Sequence, residues 1–515
     1  MSELATHDAL TTQQASWLRP YWPEAVAGLI WLVGCALLCA IPVSHDVVWQ
    51  LWVARQMHLG AALYSQIIEV NPPLWFWMAM PLDFLAQAFR LEPTWVMVGA
   101  LLLLCGVGLG LVGLLVREQS ALDRLATLLG ALMITMAIAV PDFAQREHLA
   151  LIGAVPYLLL IARRADNLPV HWVTALAIGL FAAPFFALKH YFILVPLLLE
   201  IWLLWERRRN WQPMRPETIA LVGAALLFAG AILVFAPEYL TKIVPLLAIA
   251  YGDFRPPILA VLLNSVVPVL LLGAGYVWHF RAELPASAKA AAMVGSAFAI
   301  SYFAQFKGWS YHALPITATF ALVVVLHLSI TTRRPRLGLA EGLSAALLLI
   351  VAAIPNVIHG PYRNDWAPQV SRLLQEVNSG ATAIMLTTNP SKIWPLNIEK
   401  DLKWPSRHSI FWMMGAVARH QSAETPMPQD LSDFVAQVLL DTVADMLCNP
   451  PDILIADRVS VQNYPDFDML AFFRSEPEFQ AIMNAYRPSE RIGQFTSYIR
   501  ASDLPAPAPG SCVVR

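Results

Sequence analysis

Asp46 stands a few residues beyond the first long apolar run, where the chain leaves a membrane. A carboxylate held at the water–lipid boundary can take a proton from a hydroxyl brought within hydrogen-bond reach. Behind it, Val47, Val48, Leu51, Trp52 and Arg55 recur at helical spacing, which suits a helix lying in the interface plane. Gly60 and the pair Leu63-Tyr64 then lead to a second acid, Glu69, and to the turn Asn71-Pro72-Pro73. The whole stretch from Ser44 to Trp75 reads as a reaction site at a membrane surface.

Three more clusters carry chemistry-bearing residues. The first is PDFAQREH, with Asp142, Arg146, Glu147 and His148 at the mouth of an apolar run. A guanidinium fork matches phosphate oxygens, so Arg146 suits a phosphate. Asp142, Glu147 or His148 would orient a substrate or hold a divalent metal, although no ligand spacing demands one. The second is Lys189-His190-Tyr191, and a lysine at membrane depth is costly enough to imply a task. The third is QFKGWSYH, with Lys307, Trp309, Tyr311 and His312 around Gly308. There, cations interleaved with rings suit an anionic headgroup joined to a sugar. Plainer readings exist for each: a self-satisfied ion-pair cluster, a snorkelling lysine, an aromatic belt loop.

Positioning these residues falls to apolar helices. Of 515 residues, 57% are hydrophobic and 14% charged, against about 25% charged in soluble chains. Mean hydropathy is +0.56. Runs near spanning length mark a polytopic α-helical membrane protein. The net charge of −2, with basic residues scattered among short loops, argues against nucleic acid. Short basic loops stay in the cytoplasm: Arg117–Arg124, Arg163–Arg164, Arg207–Arg209, His279–Arg281 and Arg333–Arg336. They alternate with loops around Asp142–His148, Lys189–His190, Pro237–Pro257 and Gln305–His312. The second set shares the periplasmic side with residues 43–70, so all four clusters face one aqueous compartment.

Parity then requires an odd number of spans between that first loop and Arg117. Two runs lie there, and Leu74–Phe89 contains Pro81 and Asp83, so it reads as an interfacial or re-entrant helix. Spans follow at about Glu24–Pro42, Trp95–Val116, Leu122–Val140, Leu149–Ile161, Val170–Leu188, Phe192–Leu204, Ile219–Phe235, Ile258–Trp278, Ala288–Ala304, Ala313–Ile330 and Leu337–Ala353, about 11 in all. Residues 1–22 form a cytoplasmic lead and 23–357 the membrane part. From 358 to 515 charge, Asn and Pro return, and a small periplasmic α/β domain is expected, with strands at Ala383–Leu386, Ile453–Ala456 and Ile492–Arg500 and a helix over Leu431–Leu447. Of five cysteines, Cys35, Cys39 and Cys105 lie in apolar runs; Cys448 and Cys512 alone could meet an oxidising compartment and pair.

An acid after the first span, an interfacial helix, then Gly60, Leu63-Tyr64, Glu69 and Asn71-Pro72-Pro73-Leu74 resembles the first outer loop of the GT-C superfamily of membrane glycosyltransferases. The pattern is most similar to the bacterial protein-mannosyltransferase and aminoarabinose-transferase types. The resemblance covers about residues 20–355. It implies an inverting transfer from a polyprenyl-phosphate sugar to a glycan, lipid or protein acceptor at the periplasmic face of the bacterial inner membrane. It also implies Asp46 as general base, beside Glu69, with Lys189, Arg146 or Lys307 stabilising the departing phosphate. Where relatives often carry an acid soon after the Leu-Tyr pair, this chain has Gln66, and metal use varies among them. In the glycosyltransferase reading that the resemblance implies, the donor phosphate falls to Arg146, Lys189, His190, Lys307, Tyr311 and His312, with Tyr64, Asp142, Glu147, His148 and Trp309 completing the pocket among membrane lipids. Two rival classes remain: a transporter or flippase of a lipid-linked or anionic substrate, and a non-catalytic polysaccharide-assembly subunit. Against the first, no internal repeat is visible and the ionisable groups gather at one face instead of mid-membrane.

Overall fold

The computed structural model describes residues 21–250, 252, 256–331, 338–507 and 512. The lead up to residue 20, the basic stretch Arg333–Arg336 and the end of the Pro-rich tail lie outside them. Within the membrane part, helices follow in the order α1 Trp22–Leu38, α2 His45–His58, α3 Leu74–Phe89, α4 Pro93–Val116, α5 Ala121–Leu132, α6 Arg146–Ala165, α7 Trp172–Phe186, α8 Leu194–Arg207 and α9 Pro216–Phe235. Then come α10 Val244–Ala250, α11 Ile258–Leu262, α12 Val266–Phe280, α13 Ala286–Gln305, α14 Ser310–Thr331 and α15 Leu339–His359. Five described helices, among them α4, α6 and α9, are long and apolar enough to cross a membrane, and shorter apolar helices such as α1, α7 and α12 accompany them.

Burial sorts these helices into layers. The apolar windows of α6 and α14 are 83% and 89% buried, while those of α9 and α15 are 11% and 17% buried. Hence α6 and α14 are the central pillars, and α9 and α15 present apolar faces outward, as lipid requires. Close approach of pillar and neighbour needs small residues: a Cβ on Gly153 of α6 would lie 2.7 Å from Phe185 of α7.

Two expected spans come out differently. Ile258–Trp278 is broken at Asn264, because its side chain accepts from Val266 N (3.1 Å) and donates to Gly308 O (3.0 Å). The break thus holds the 306–309 turn in place. The pillar α6 begins at Arg146 instead of Leu149, so Arg146, Glu147 and His148 are helical residues and not loop residues. Burying Glu147 there is tolerable because Lys189 Nζ sits 2.6 Å away.

Residues 74–89 form a helix, and α3 packs against α2. The buried Asp83 that makes a spanning role expensive meets His58 Nδ1 at 2.7 Å. Gln50 of α2 also donates to the Trp75 carbonyl of α3.

Beyond α15, the chain forms α16 Ala367–Leu373, β1 Ala383–Leu386, α17 Leu396–Glu399, α18 Met414–Ser422, α19 Gln429–Cys448, β2 Ile453–Asp457, α20 Met469–Arg474, α21 Pro477–Met483, β3 Tyr486–Ile492 and β4 Phe495–Arg500. The sheet order is β1-β2-β4-β3, with β1 and β2 parallel and the other pairs antiparallel. Full burial explains the unbroken apolar run of β1 and of β2 as far as Ala456, and the buried Asp457 that ends β2 is paired with Lys392. Cys448 and Cys512 are joined in a disulfide.

This C-terminal part docks on the first outer loop through rings and backbone. Trp49 and Trp52 of α2 stack at 4.8 Å, and Trp394 meets Trp49 edge-on at 4.7 Å. Ile68 N donates to the Arg407 carbonyl at 2.8 Å. Such aromatic contacts contribute about 0.5–1.5 kcal/mol each beyond their buried area.

Candidate active site

The first outer loop is built around Glu69. Its Oε1 accepts from Val70 N (2.7 Å), Asn71 N (3.0 Å) and Asn71 Nδ2 (2.7 Å), and its Oε2 accepts from Trp49 Nε1. Burial pushes the Glu69 carboxyl up, against the pull of these donors and of Arg146. Asn71 passes the anchorage on: its Oδ1 accepts from Arg146 Nη1, and its carbonyl accepts from Tyr64 Oη at 2.7 Å. The Gly60 and Leu63-Tyr64 signature has a backbone cause. Gly60 sits at φ 97° and Tyr64 at φ 70°, both left-handed, and the first favours glycine. Glu69, named from the sequence as catalytic, therefore occupies an anchoring position, and Tyr64 a supporting one. Glu69→Ala is expected to remove about 2–4 kcal/mol of stability by stranding four donors, read as a lowered thermal unfolding midpoint.

Arg146, Lys189, His190, Lys307, Trp309 and His312 line a cavity of about 380 Å³ together with Asn71, Tyr191, Tyr239 and Gln305. No carboxylate lines it among the described residues. Three loops and two helix starts converge here because α6 and α14 both begin at this end. Their N-terminal dipoles add positive potential. Arg146 is held by Asn71 and lies 5.6 Å from the Trp75 ring centre. Lys189 Nζ reaches Glu147 Oε1 (2.6 Å), His312 Nε2 (3.1 Å) and Gln305 Oε1 (3.4 Å), and stands 5.4 Å from the Tyr311 ring centre. Lys307 Nζ stands 6.0 Å from the Trp309 ring centre. Lys189 lies in the turn after α7, and burial lowers its ammonium to about 8; Arg146 adds to the shift and Glu147 opposes it. Burial likewise lowers His190, with Lys189 adding.

Asp46 does not line the cavity. It lies in the first turn of α2, where Gln145 Nε2 donates to its Oδ2 at 3.3 Å and His45 Nε2 stands 3.5 Å from its Oδ1. Gln145 immediately precedes Arg146, so the acid and the cavity wall share one backbone junction. Asp142 accepts from Ser310 Oγ at 2.8 Å, and burial raises its carboxyl to about 6, with Glu147 adding. His148 faces inward: its ring bridges the Thr135 carbonyl (2.7 Å) and Ala144 N (3.2 Å), at 0% exposure.

The metal left open for Asp142, Glu147 and His148 finds no gathered ligand set, since each is turned to a different partner. Among the described residues, the group that brings three metal-type ligands together is Glu283, His327 and Glu341. It lies toward the other end of α14, about 22 Å along the helix from His312. Sequence reasoning missed Gln145, Asn71, Gln305 and Tyr239 as site residues. The first three stood inside quoted motifs, but these uncharged side chains gave no chemical signal of their own.

No family model matches this chain, and no curated protein sequence matches it. Among solved structures, the crystal structure of ArnT from Cupriavidus metallidurans bound to undecaprenyl phosphate is similar, with a TM-score of 0.54 at 12% identity. The likeness covers 94% of this chain and 98% of that one. With nearly the whole length of both chains superposed, this chain has the fold of that ArnT structure.

Proposed function

We propose that the chain is a GT-C glycosyltransferase that moves a sugar from a polyprenyl-phosphate carrier to an acceptor at the periplasmic face of the inner membrane. The observation that carries this reading is the cavity walled by Arg146, Lys189 and Lys307, with no carboxylate among the described residues of its lining. Cations buried near membrane depth suit an anion that arrives on a lipid. The similar ArnT structure is bound to undecaprenyl phosphate, which supports the same ligand class here.

In this reading the donor phosphate rests on Arg146, Lys189 and Lys307, with His190, Tyr311 and His312 around it. Trp309 offers a ring face to the sugar. The prenyl chain runs down an outward apolar face of the bundle. The sugar reaches from the cavity toward Asp46, which takes the proton of the acceptor hydroxyl as that oxygen attacks the anomeric carbon. The bond to the phosphate oxygen breaks on the opposite side, so the anomeric configuration inverts. The leaving group is a phosphodiester becoming a lipid phosphate monoester, and its growing charge falls on cations already in place. The part from 358 on is a periplasmic domain in this topology, consistent with the Cys448–Cys512 disulfide.

Lipids extracted from the purified protein and examined by mass spectrometry should include a polyprenyl phosphate or its glycosylated form. Recovery of bilayer phospholipids alone would contradict the assignment.

A further inference from the structure

Both oxygens of the Asp46 carboxylate are held, and one holder is itself held from beyond the bundle. Gln145 Nε2 serves Oδ2 at 3.3 Å and Ser44 Oγ at 2.6 Å. On the other side, His45 Nε2 lies 3.5 Å from Oδ1, while its Nδ1 meets Tyr362 Oη at 3.2 Å. The His45 and Tyr362 rings pack with centres 5.9 Å apart. Tyr362 follows α15 in the segment that leads into the C-terminal part. Asp46 and His45 belong to α2, on which that part docks through Trp394.

The chemistry assigns directions to these contacts. A tyrosine hydroxyl donating to Nδ1 leaves the imidazole proton on Nε2. Nε2–H is then on the side of Asp46 Oδ1, 3.5 Å away, and the carboxylate is flanked by His45 on one oxygen and bonded by Gln145 on the other. We infer that Tyr362 and His45 are positioning residues for the Asp46 base, so that the C-terminal part completes the reaction site and is more than a cover. The inference rests on the reading of Asp46 as base. The relay transfers no proton: Asp46 alone gains one during the reaction, and Tyr362 keeps its own. A base turned away from its target loses rate without losing substrate, since the donor phosphate is bound by other residues in the cavity.

The test uses the full-length purified protein with a labelled polyprenyl-phosphate sugar and wild-type membranes as acceptor source. Tyr362→Phe keeps the ring and removes the hydroxyl. It is expected to lower kcat about tenfold with an unchanged donor KM and an unchanged melting temperature. His45→Ala should show the same split, and the double variant should be no slower than His45→Ala alone, because both act through one contact. His45→Gln, whose amide nitrogen reaches toward the place of Nε2, should recover most of the rate. If wild-type protein transfers label but Tyr362→Phe keeps wild-type kcat, or the two losses multiply, the relay is overturned and the Asp46 reading stands. If wild-type protein transfers no label, the reading of Asp46 as base falls, and the relay falls with it.

Discussion

Asp46→Asn is expected to lower kcat by about a thousandfold while the polyprenyl-phosphate donor binds as before. The loss follows from the general-base role, which contributes roughly 10²–10⁴ in rate. A thousandfold corresponds to about 4 kcal/mol of barrier. Asparagine has the shape of aspartate but cannot take the acceptor's proton at neutral pH. Donor affinity should be spared because Asp46 lies outside the cavity lined by Arg146, Lys189 and Lys307, where the proposed function places the donor phosphate. Folding should be nearly spared as well. The amide oxygen satisfies either Gln145 or His45, and its NH₂ faces the other donor, at a cost of about 1 kcal/mol. Steady-state kinetics with a donor titration check this, and kcat within tenfold of wild type would remove Asp46 as the base.

Lys189→Met is expected to weaken donor binding by about a hundredfold, a loss of the size seen when one partner of a buried charge contact is truncated. Methionine keeps the length and apolar stem but loses the ammonium. It also strands the Glu147 carboxylate, whose Oε1 lies 2.6 Å from Lys189 Nζ, so stability should fall by roughly 3–5 kcal/mol. Combining it with Glu147→Gln separates the two effects: stability should return, and donor affinity should not. A pH dependence follows with a definite sign. Lys189 titrates at about 8 because burial lowers it, so raising pH through that value discharges the ammonium and weakens phosphate binding. That limb should vanish in Lys189→Met. Calorimetric titration with undecaprenyl phosphate from pH 6 to about 9 reads both results.

Much of this site is legible in the chain because membranes constrain it strongly. Loop charge alone assigns Arg146, Lys189, Lys307 and His312 to one side, and in the structure these residues wall one cavity. Pro81 and Asp83 are the reason residues 74–89 read as an interfacial helix, and in the structure Asp83 is buried against His58 of α2. Apolar runs free of charge foretell β1 and β2, which are buried throughout.

What escapes the sequence is direction. His148 sits in the same seven-residue cluster as Arg146, yet the turn of α6 points it at the Thr135 carbonyl, away from the cavity. Glu69 resembles Asp46 as an isolated acid, but four donors gathered from its own loop and α2 make it an anchor. Asn264 interrupts a continuous apolar run through bonds to Val266 and to the distant Gly308, and only the second contact reveals why the break is there. Tyr362 carries no motif at all. Its place beside His45 follows from how the C-terminal part sits on α2, a tertiary fact that no local pattern encodes.

The central claim is that this cavity holds a lipid phosphate whose sugar is handed on. Its most direct measurement follows the label of a polyprenyl-phosphate [³H]sugar incubated with purified, reconstituted protein and acceptor membranes. The account predicts that label leaves the prenyl lipid and appears on a new acceptor, with polyprenyl phosphate accumulating in equal amount. Label that stays on the prenyl lipid, whether in place or moved across the bilayer, would contradict it.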